Sequence, residues 1–325
     1  MSKASKVFIP EVEEPNSLAL LQGIAEVKTG AEGQFFSEDD LAREISDVDV
    51  VVITSQHRIT RNVIERAVKL RAIVKYGARP GSDNVDLAAA NTRGILVAYT
   101  PGANSDSVAE FTVALILALA KRLPDIIWRV GRHAWRDASC LGLELTGKTA
   151  GIVGLGNIGF KVAQKVSNLE MRVLASDPYV SAEKAHLARA TLIALDELLG
   201  ESDVVSLHAQ LTQETRLMIG KRELGLMKHT AYLVNTARGG LVDEKALFEA
   251  LRDRRIAGAA LDVFETEPPS PDNPLLTLDN VILTPHIASW TADALRKEAF
   301  MAVEEVKRIL TGSRPLNLAN PEVLR

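Results

Sequence analysis

Three short segments in the second half of the chain carry residue types that could do acid–base chemistry on a small anion. Each follows an apolar run typical of a buried strand: one segment ends in Arg238, another contains Glu265 and Glu267, and a third ends in His286. The carboxyl ends of neighbouring parallel strands share one edge of a sheet, which is where open α/β sheets bind ligands. We therefore expect these side chains to converge there.

An arginine, a carboxylate and a histidine supply the three protein functions that hydride transfer to a 2-keto acid requires. The cation holds the substrate carboxylate and polarises its carbonyl, the imidazole exchanges a proton near neutral pH, and the acid orients and tunes that imidazole. Taken singly, a surface arginine, a solvated loop carboxylate and a helix-capping histidine are structural alternatives. Gly239 and Gly240, which follow Arg238, suggest that a ligand approaches the backbone closely.

A glycine fingerprint, G-L-G-N-I-G at residues 154–159, follows the short apolar run 150–153 and opens a helical pattern. In such a motif Gly154 makes the tight turn, Gly156 lets the backbone approach a pyrophosphate, and Gly159 lets the helix pack on the strand. The free N–H groups and the dipole at a helix N-terminus favour an anion there. The motif therefore predicts a dinucleotide site.

An acid stands where a dinucleotide site needs one. The next apolar run, 171–175, leads to Asp177, which is 18 positions beyond Gly159. At this place the fingerprint uses a carboxylate to hydrogen-bond the ribose hydroxyls, and a carboxylate repels a 2′-phosphate. No lysine or arginine occurs in residues 178–180, so the sequence predicts NAD in preference to NADP. The structural alternative for Asp177 is a turn residue before Pro178.

Strands and helices alternate along the whole chain, which predicts parallel sheets covered on both faces. The predicted strands are 7–9, 48–54, 71–76, 95–99, 149–153, 171–175, 203–207, 231–235, 257–263 and 281–284. The clearest helical patterns are 60–69, 85–92, 105–122, 157–166 and 292–310. The fold class is α/β, with two doubly wound parallel-sheet domains. We predict a Rossmann NAD domain at 104–292, inserted into a flavodoxin-like substrate domain made of 1–103 and 293–325.

Composition excludes several other classes. The 325 residues carry a formal net charge of −4, which gives no nucleic-acid footprint. The N-terminus lacks the apolar segment of a signal peptide, and the longest apolar helical run is too short to span a bilayer. A single cysteine, Cys140, fits a reducing compartment. We expect a cytoplasmic protein with no metal site, no nucleic-acid partner and no membrane contact.

The chain resembles the D-isomer-specific 2-hydroxyacid dehydrogenase family over nearly its full length. Besides the fingerprint, the segments that carry the resemblance are 83–86 (D-N-V-D), 100–102 (T-P-G), 235–240 (N-T-A-R-G-G), 258–264 (G-A-A-L-D-V-F) and 284–286 (T-P-H). Within the family, the chain looks most like phosphoglycerate dehydrogenase-like and glyoxylate/hydroxypyruvate reductase-like members. The resemblance implies an NAD-dependent oxidoreductase that transfers hydride between the nicotinamide and C2 of a small 2-hydroxy or 2-keto acid.

The resemblance also implies roles for the matched residues. His286 would be the general acid/base, Glu267 its paired carboxylate, and Arg238 the anchor of the substrate and polariser of its carbonyl. Glu267 is chosen over Glu265 because the catalytic acid of the family directly precedes a proline. The implied cofactor contacts are Gly154, Gly156, Asn157, Ile158, Gly159, Asp177, Thr236, Ala237, Arg238, Asp262, His286, Ala288 and Ser289. Among them Asp262 is expected near the nicotinamide carboxamide, and the backbone of 157–158 at the pyrophosphate.

The segment expected to hold the substrate carboxylate departs from the family pattern. Relatives commonly have a Gly-x-Gly-like turn, whereas this chain has Ala78, Arg79 and Pro80, and the proline removes one amide donor. We predict that Ala78 and Arg79 bind substrate together with Arg238 and His286. Arg79 could bind a second anionic or polar group of the substrate, or could instead extend into solvent.

Three alternative functions and a homodimer are also considered. Phosphoglycerate dehydrogenases usually carry an Arg-Ser-like pair where this chain has Thr54 and Ser55, so D-3-phosphoglycerate dehydrogenase ranks second. Formate dehydrogenases of the same architecture pair their histidine with a glutamine, where this chain has Glu267. A non-enzymatic NAD-sensing corepressor could keep the whole catalytic set. The resemblance further implies a homodimer formed through the NAD-binding domains, with the loop around Trp135 contributing.

Overall fold

The computed structural model describes residues 4–31, 33–77 and 84–324. The predicted substrate residues Ala78 and Arg79 lie outside the described residues. The chain divides into two compact units. The first consists of Met1–Asn104 and Trp290–Arg325, and the second of Ser105–Ser289.

The described strands all pair in parallel. Those of the first unit are β1 (Ser5–Ile9), β2 (Ala25–Thr29), β3 (Val50–Ile53), β4 (Ala72–Lys75) and β5 (Leu96–Tyr99). Those of the second unit are β6 (Thr149–Val153), β7 (Arg172–Ser176), β8 (Thr191–Leu192), β9 (Val204–Leu207), β10 (Tyr232–Asn235), β11 (Gly258–Leu261) and β12 (Val281–Leu283). Central strands such as β3 and β4 are buried along their whole length, as a sheet covered on both faces requires.

Eleven α-helices cover the two sheets in the described part of the chain. They are α1 (Glu38–Glu44), α2 (Arg61–Arg66), α3 (Leu87–Thr92), α4 (Ser105–Ala120), α5 (Leu123–Gly131), α6 (Asn157–Asn168), α7 (Ala182–Leu187), α8 (Leu195–Glu201), α9 (Lys221–Leu226), α10 (Glu244–Arg252) and α11 (Ala292–Leu310). Side chains that accept backbone N–H groups cap several of them, among them Ser37, Thr60, Asp86 and Thr291. None of the described helices has the length and apolar character needed to cross a membrane.

The first unit has the strand order β2-β1-β3-β4-β5, which is the flavodoxin-like order. One face of this sheet packs against α1, α2 and α3 in a core that includes Ile53, Ile64 and Ile73. The other face packs against α11, where Val74 and Tyr76 meet Val303. The predicted flavodoxin-like fold of this part of the chain is confirmed.

The second unit has the strand order β12-β11-β10-β9-β6-β7-β8, a doubly wound arrangement whose order reverses between β6 and β9. Open α/β sheets bind ligands at such a reversal, outside the carboxyl ends of the strands. The glycine fingerprint follows β6 and therefore lies at this point. The predicted Rossmann fold is confirmed.

No strand was predicted where β2 and β8 lie, and the other predicted strands differ from the observed ones mainly at their ends. Most strands are one to three residues shorter than their apolar runs, because the flanking residues leave the ladder for turns. The helix expected over 105–122 ends at Ala120, since Arg122 adopts a left-handed backbone with φ of 52° and a second helix, α5, follows. The apolar pattern had not indicated α5, because none of its residues is buried in this chain.

Candidate active site

Three adjacent parallel strands bring the candidate catalytic residues to one edge of the second unit's sheet. In the ladder, Asn235 of β10 aligns with Leu261 of β11, and Leu261 aligns with Leu283 of β12. The three strands thus end at the same level. The segments that carry Arg238, Glu267 and His286 follow them directly.

The imidazole of His286 is paired with the carboxylate of Glu267. His286 Nδ1 and Glu267 Oε2 are 2.6 Å apart, and Glu267 Oε1 accepts the N–H of Phe264 at 3.0 Å. Burial disfavours the charged carboxylate, but the hydrogen bond and charge of His286, the Phe264 N–H and the charge of Arg238 together hold the pKa of Glu267 below its usual value. Both paired side chains keep 36% of their surface exposed, so the ring remains accessible to a small molecule.

The neighbouring acid has a different partner. Glu265 accepts the N–H of Glu244 at 3.0 Å through Oε1, and its own N–H donates to the Glu244 carboxylate at 2.5 Å. This reciprocal pair joins the segment after β11 to the start of α10. Of the two acids, the structure therefore places Glu267, and not Glu265, against the histidine.

His286 has a left-handed backbone, with φ of 55°. For a residue other than glycine this conformation costs about 1–2 kcal/mol, and it persists only where the surroundings impose it. Here the His286 N–H donates to the Asp262 carbonyl at 2.8 Å and to the Thr284 carbonyl at 3.1 Å. Such conformations cluster at functional sites, so the strain itself marks His286 as a functional candidate.

Asp262 organises the loop that carries the histidine. It is fully buried, and its carboxylate accepts the Thr284 hydroxyl at 2.6 Å, the Ile287 N–H at 3.0 Å and the Ala288 N–H at 2.8 Å. The role expected for Asp262 was contact with the nicotinamide carboxamide. In this structure the carboxylate instead holds the residues on either side of His286, and the carboxamide contact stays a prediction.

The turn that carries Arg238 is held by the side chain of Asn235, which is buried. Asn235 Nδ2 donates to the Arg238 carbonyl at 2.9 Å, while its Oδ1 accepts the Ala237 N–H at 3.0 Å. Arg238 is half-buried, and one of its terminal nitrogens donates to the Ala237 carbonyl at 2.7 Å. Because its charge lowers the pKa of Glu267, the guanidinium lies within electrostatic reach of the histidine–carboxylate pair.

The two glycines after Arg238 have a reason within the protein itself, and the approach of a ligand to them stays a prediction. A Cβ on Gly239 would lie 1.8 Å from the backbone carbon of Phe264 and 2.3 Å from the nitrogen of Glu265. A Cβ on Gly240 would meet only the side chain of Leu211, at 3.1 Å and beyond. The backbone of Phe264 and Glu265 therefore packs directly against Gly239. The position of this segment in turn determines where Glu267 lies.

The glycine fingerprint has the geometry of a phosphate cradle. Gly154 has a φ of +89°, and a Cβ there would come within 2.7 Å of the Ala209 nitrogen. A Cβ on Gly159 would lie 2.0 Å from the Gly154 carbonyl oxygen, so only glycine lets α6 pack this closely. Nothing lies within 4 Å of the corresponding position at Gly156, and no side chain caps α6. The N–H groups of 157–158 at this end of α6 thus border open space.

Asp177 is fixed beside this cradle. Its Oδ2 accepts the Leu155 N–H at 2.8 Å, and its Oδ1 accepts the Tyr179 N–H at 2.9 Å. The carboxylate stays partly exposed at the end of β7 and keeps lone pairs for further donors. An open helix N-terminus next to a fixed carboxylate fits a dinucleotide, whose pyrophosphate and ribose hydroxyls need these two partners.

The remaining predicted cofactor residues follow the ends of β10 and β12. Thr236 is buried, and its hydroxyl lies 2.8 Å from that of Thr112 in α4, a contact that the sequence did not reveal. Ala288 is buried and its N–H donates to Asp262, and Ser289 is half-buried at the end of the unit. The polar Thr112 within the otherwise apolar stretch 111–120 of α4 was the signal that could have revealed its contact.

A second histidine near the fingerprint is a poor acid–base candidate. His208 follows β9, and its Nε2 lies 2.9 Å from the Ser206 hydroxyl. Burial lowers the pKa of His208 to about 3, so it stays neutral at physiological pH. No carboxylate contacts it among the described residues. Within that same part of the chain, no group of three or more His, Cys, Asp and Glu side chains could hold a metal ion.

The chain is similar in sequence and structure to several known dehydrogenases and reductases. Residues 113–288 match the family model described as "D-isomer specific 2-hydroxyacid dehydrogenase, NAD binding domain". A D-3-phosphoglycerate dehydrogenase of Archaeoglobus fulgidus is 44% identical over 91% of this chain. A glyoxylate reductase of Thermofilum pendens is 40% identical over 98% of this chain and 96% of its own length. The crystal structure of a D-lactate dehydrogenase of Aquifex aeolicus, complexed with NAD and lactic acid, has a TM-score of 0.83 and 33% identity, with 95% of this chain and 96% of that one covered.

The relatives differ in length. The chain spans 55% of the length of the Archaeoglobus phosphoglycerate dehydrogenase and 59% of that from Methanocaldococcus jannaschii. It spans nearly the whole of the Thermofilum glyoxylate reductase.

Replacement of Gly239 by alanine should destabilise the protein by about 1–3 kcal/mol, because the new methyl group meets the rigid backbone of Phe264. Gly240→Ala is the matched control, since the Leu211 side chain can move away. Urea unfolding measures both variants. Equal losses of unfolding free energy in the two variants would contradict the backbone contact as the reason for Gly239.

Proposed function

Because the chain belongs to the D-isomer-specific 2-hydroxyacid dehydrogenase family, we propose that it is an NAD-dependent 2-keto acid reductase and D-2-hydroxyacid dehydrogenase. The observation that carries this proposal is the 2.6 Å pair of His286 and Glu267, with Arg238 on the neighbouring strand end. The NAD-binding family model covers the same part of the chain. We further propose that the NAD-binding domain is 104–292 and the substrate domain 1–103 with 293–325.

The three candidate catalytic residues have different roles in the proposed reaction. The bound nicotinamide supplies or accepts the hydride at C2 of the substrate. Arg238 binds the substrate carboxylate and polarises the carbonyl oxygen. His286 donates a proton to that oxygen during reduction and removes it during oxidation, through Nε2, because Nδ1 is bound to Glu267. Glu267 orients the ring and stabilises its protonated form.

The two directions of the reaction should therefore have different pH dependence. Reduction needs the imidazolium and oxidation needs the neutral ring. The lowered pKa of Glu267 keeps this carboxylate negative through the neutral range, so it favours the imidazolium there. Without the negative charge of Glu267 the imidazolium is favoured less. Reduction should therefore decline at a lower pH than in the wild type.

The substrate that the site supports best is a small 2-keto acid without a phosphate group. Thr54 stands where phosphoglycerate enzymes usually carry an arginine, and it is buried, with its hydroxyl 2.9 Å from His57 Nδ1. This position offers no cation to a phosphate. The 44% identity to a phosphoglycerate dehydrogenase nevertheless makes D-3-phosphoglycerate the second candidate. A non-enzymatic NAD sensor is the third, and any turnover would exclude it.

An NADH-oxidation assay with glyoxylate, hydroxypyruvate, pyruvate and phosphohydroxypyruvate tests the activity. We expect His286→Gln to lower kcat by about 10²–10⁴-fold, because the proton donor is lost, while NADH binding stays nearly intact. Glu267→Gln should shift the pH profile of reduction to lower pH. Glu265→Gln is the matched control and should keep the wild-type profile, because Glu265 bonds to Glu244.

Two results would count against the proposal. One is wild-type turnover in His286→Gln with a good substrate. The other is a preference for phosphohydroxypyruvate over the unphosphorylated acids, which would favour the phosphoglycerate assignment.

The cofactor preference rests on Asp177, whose carboxylate would bind the ribose hydroxyls and repel a 2′-phosphate. Asp177→Asn keeps an acceptor for the Leu155 N–H but removes the charge. We expect its preference for NADH over NADPH to fall by about 10–100-fold, the worth of a hydrogen bond to a charged group. Steady-state kinetics with both cofactors measures the ratio, and Glu183→Gln on nearby α7 is the surface control. An unchanged ratio would remove Asp177 from this role.

We also propose a homodimer formed through the NAD-binding domains. Helix α5 has no buried residue, and the large apolar side chains of Ile127, Trp128 and Val130 are 57–69% exposed. Trp135 and Leu141, which follow the helix in the chain, are exposed as well. Exposed apolar patches of this kind mark interaction sites, and the family resemblance points to a second copy of the chain as the occupant.

The single cysteine, Cys140, supports a cytoplasmic location.

Light scattering after gel filtration tests the dimer. The wild-type mass should be about twice 35.2 kDa, and Ile127→Asp should reduce it towards that of the monomer because a charge would be buried in the interface. Val68→Asp, at an equally exposed position of the first unit, should leave the mass unchanged. A monomeric wild type would refute the dimer without bearing on the catalytic assignment.

A further inference from the structure

A cavity of about 880 Å³ lies within the first unit, at the amino edge of its sheet. We call it the basic pocket, after the arginines among its main lining residues, which are Leu70, Arg71, Arg93, Leu96, Ile309 and Arg314. Arg71 directly precedes β4, Leu96 begins β5, and Ile309 lies in the last turn of α11. Small-molecule sites have volumes of about 300–1,000 Å³, so the cavity has the size of a binding site.

The basic pocket is positively charged. Three arginines line it, and no acidic residue of the described chain does. Glu322, whose neighbour Pro321 is part of the lining, has its carboxylate bound to Asn91, which donates from Nδ2 at 2.7 Å. Because the whole chain has a formal net charge of −4, this local excess of positive charge is not a general property of its surface.

Capping of a helix end accounts for one of the three arginines. Helices α2, α3 and α11 end at this edge of the sheet, and helix C-termini favour cations. The terminal nitrogens of Arg93 donate to the carbonyls of residues 64, 65, 67 and 68, at 2.9–3.5 Å, and thereby cap α2. These bonds also hold the charge of Arg93 in place at the wall of the pocket.

Arg71 and Arg314 have no such structural role. Both are exposed, and neither side chain forms a hydrogen bond or an ion pair with another described residue. An arginine offers five N–H donors in a planar fork that fits a phosphate or a carboxylate. The two guanidinium groups are therefore available to an anion in the cavity.

The rest of the lining is largely apolar. Leu70 and Ile309 are only 5% and 4% exposed, and Leu96, Pro315 and Leu324 add further apolar surface. Inorganic phosphate would leave this surface in contact with water, whereas an apolar group would remove it from water. The lining therefore suits a ligand that has both a charged part and an apolar part.

We propose that the basic pocket binds a small organic dianion, in which a phosphate or two carboxylates are attached to an apolar body. Two arginines without partners in the described chain, together with the fixed charge of Arg93, favour more than one negative charge on the ligand. The apolar lining favours the apolar body. The proposal does not depend on the catalytic function, because the pocket belongs to the first unit and the candidate catalytic residues belong to the second.

Isothermal titration calorimetry with the full chain tests the site, with NADH present in excess to fill the dinucleotide site. The probes are 1-naphthyl phosphate and naphthalene-2,3-dicarboxylate, which carry the two kinds of dianion on the same apolar body. We expect at least one of them to bind about 10-fold more tightly than the monoanion 1-naphthoate and than inorganic phosphate. The tighter probe shows which charged group the pocket recognises. Its affinity should fall as the salt concentration rises, since exposed charges are screened.

Variants locate the site. Arg71→Gln and Arg314→Gln should each weaken binding of the tighter probe by about 10-fold, because a hydrogen bond to a charged group is lost. Their Tm should stay unchanged, since neither side chain has a partner in the described chain. Arg296→Gln is the matched control, because it removes another exposed arginine of the first unit that does not line the pocket. Arg238→Gln should also keep the binding, which separates the basic pocket from the candidate substrate site.

The proposal is overturned by any of three results. Neither dianion could bind more tightly than 1-naphthoate and inorganic phosphate. The affinity of the tighter probe could be unchanged in both Arg71→Gln and Arg314→Gln. Arg238→Gln could abolish the binding, which would place the probe at the candidate substrate site.

Discussion

The buried carboxylate of Asp262 is the interaction on which the candidate active site depends. It lies at the end of β11 and accepts three hydrogen bonds from the segment after β12, one from Thr284 and two from the backbone at 287–288. A charge buried at this depth is tolerated only because the donors are fixed. Those donors flank His286, so the same bonds that satisfy the charge hold the histidine in its strained backbone conformation.

Close packing between neighbouring strand ends then brings the partners together. Gly239, after β10, lets the backbone of Phe264 approach so closely that no side chain would fit. The Phe264 N–H, fixed by that approach, donates to Glu267. The imidazole is thus held from β12 and its carboxylate from β11, while the turn that holds Arg238 follows β10. The Asp262 carboxylate and the Asn235 side chain hold the segments that carry His286 and Arg238, and a backbone N–H holds Glu267.

The acids of the two units show how the same residue type behaves in different surroundings. Glu267 is partly buried, yet its pKa falls because a histidine, an N–H group and an arginine favour its charge. Among the described residues, no charged partner favours ionisation of Glu13 or Glu298, and burial raises their pKa values although Asn104 donates a hydrogen bond to Glu298. The difference follows from what surrounds each carboxylate, since burial opposes the charge in all three cases.

The sequence by itself determined the local features. Glycine spacing, strand periodicity and the position of Asp177 predicted the α/β class with parallel sheets and the dinucleotide fingerprint, because each depends on residues near one another in the chain. Only the tertiary structure decided which backbone Gly239 meets, that Asp262 organises the histidine loop, and that Thr112 reaches Thr236. These contacts join strands and helices far apart in sequence, so no local pattern specifies them; the sheet order and the close packing of the core bring them together.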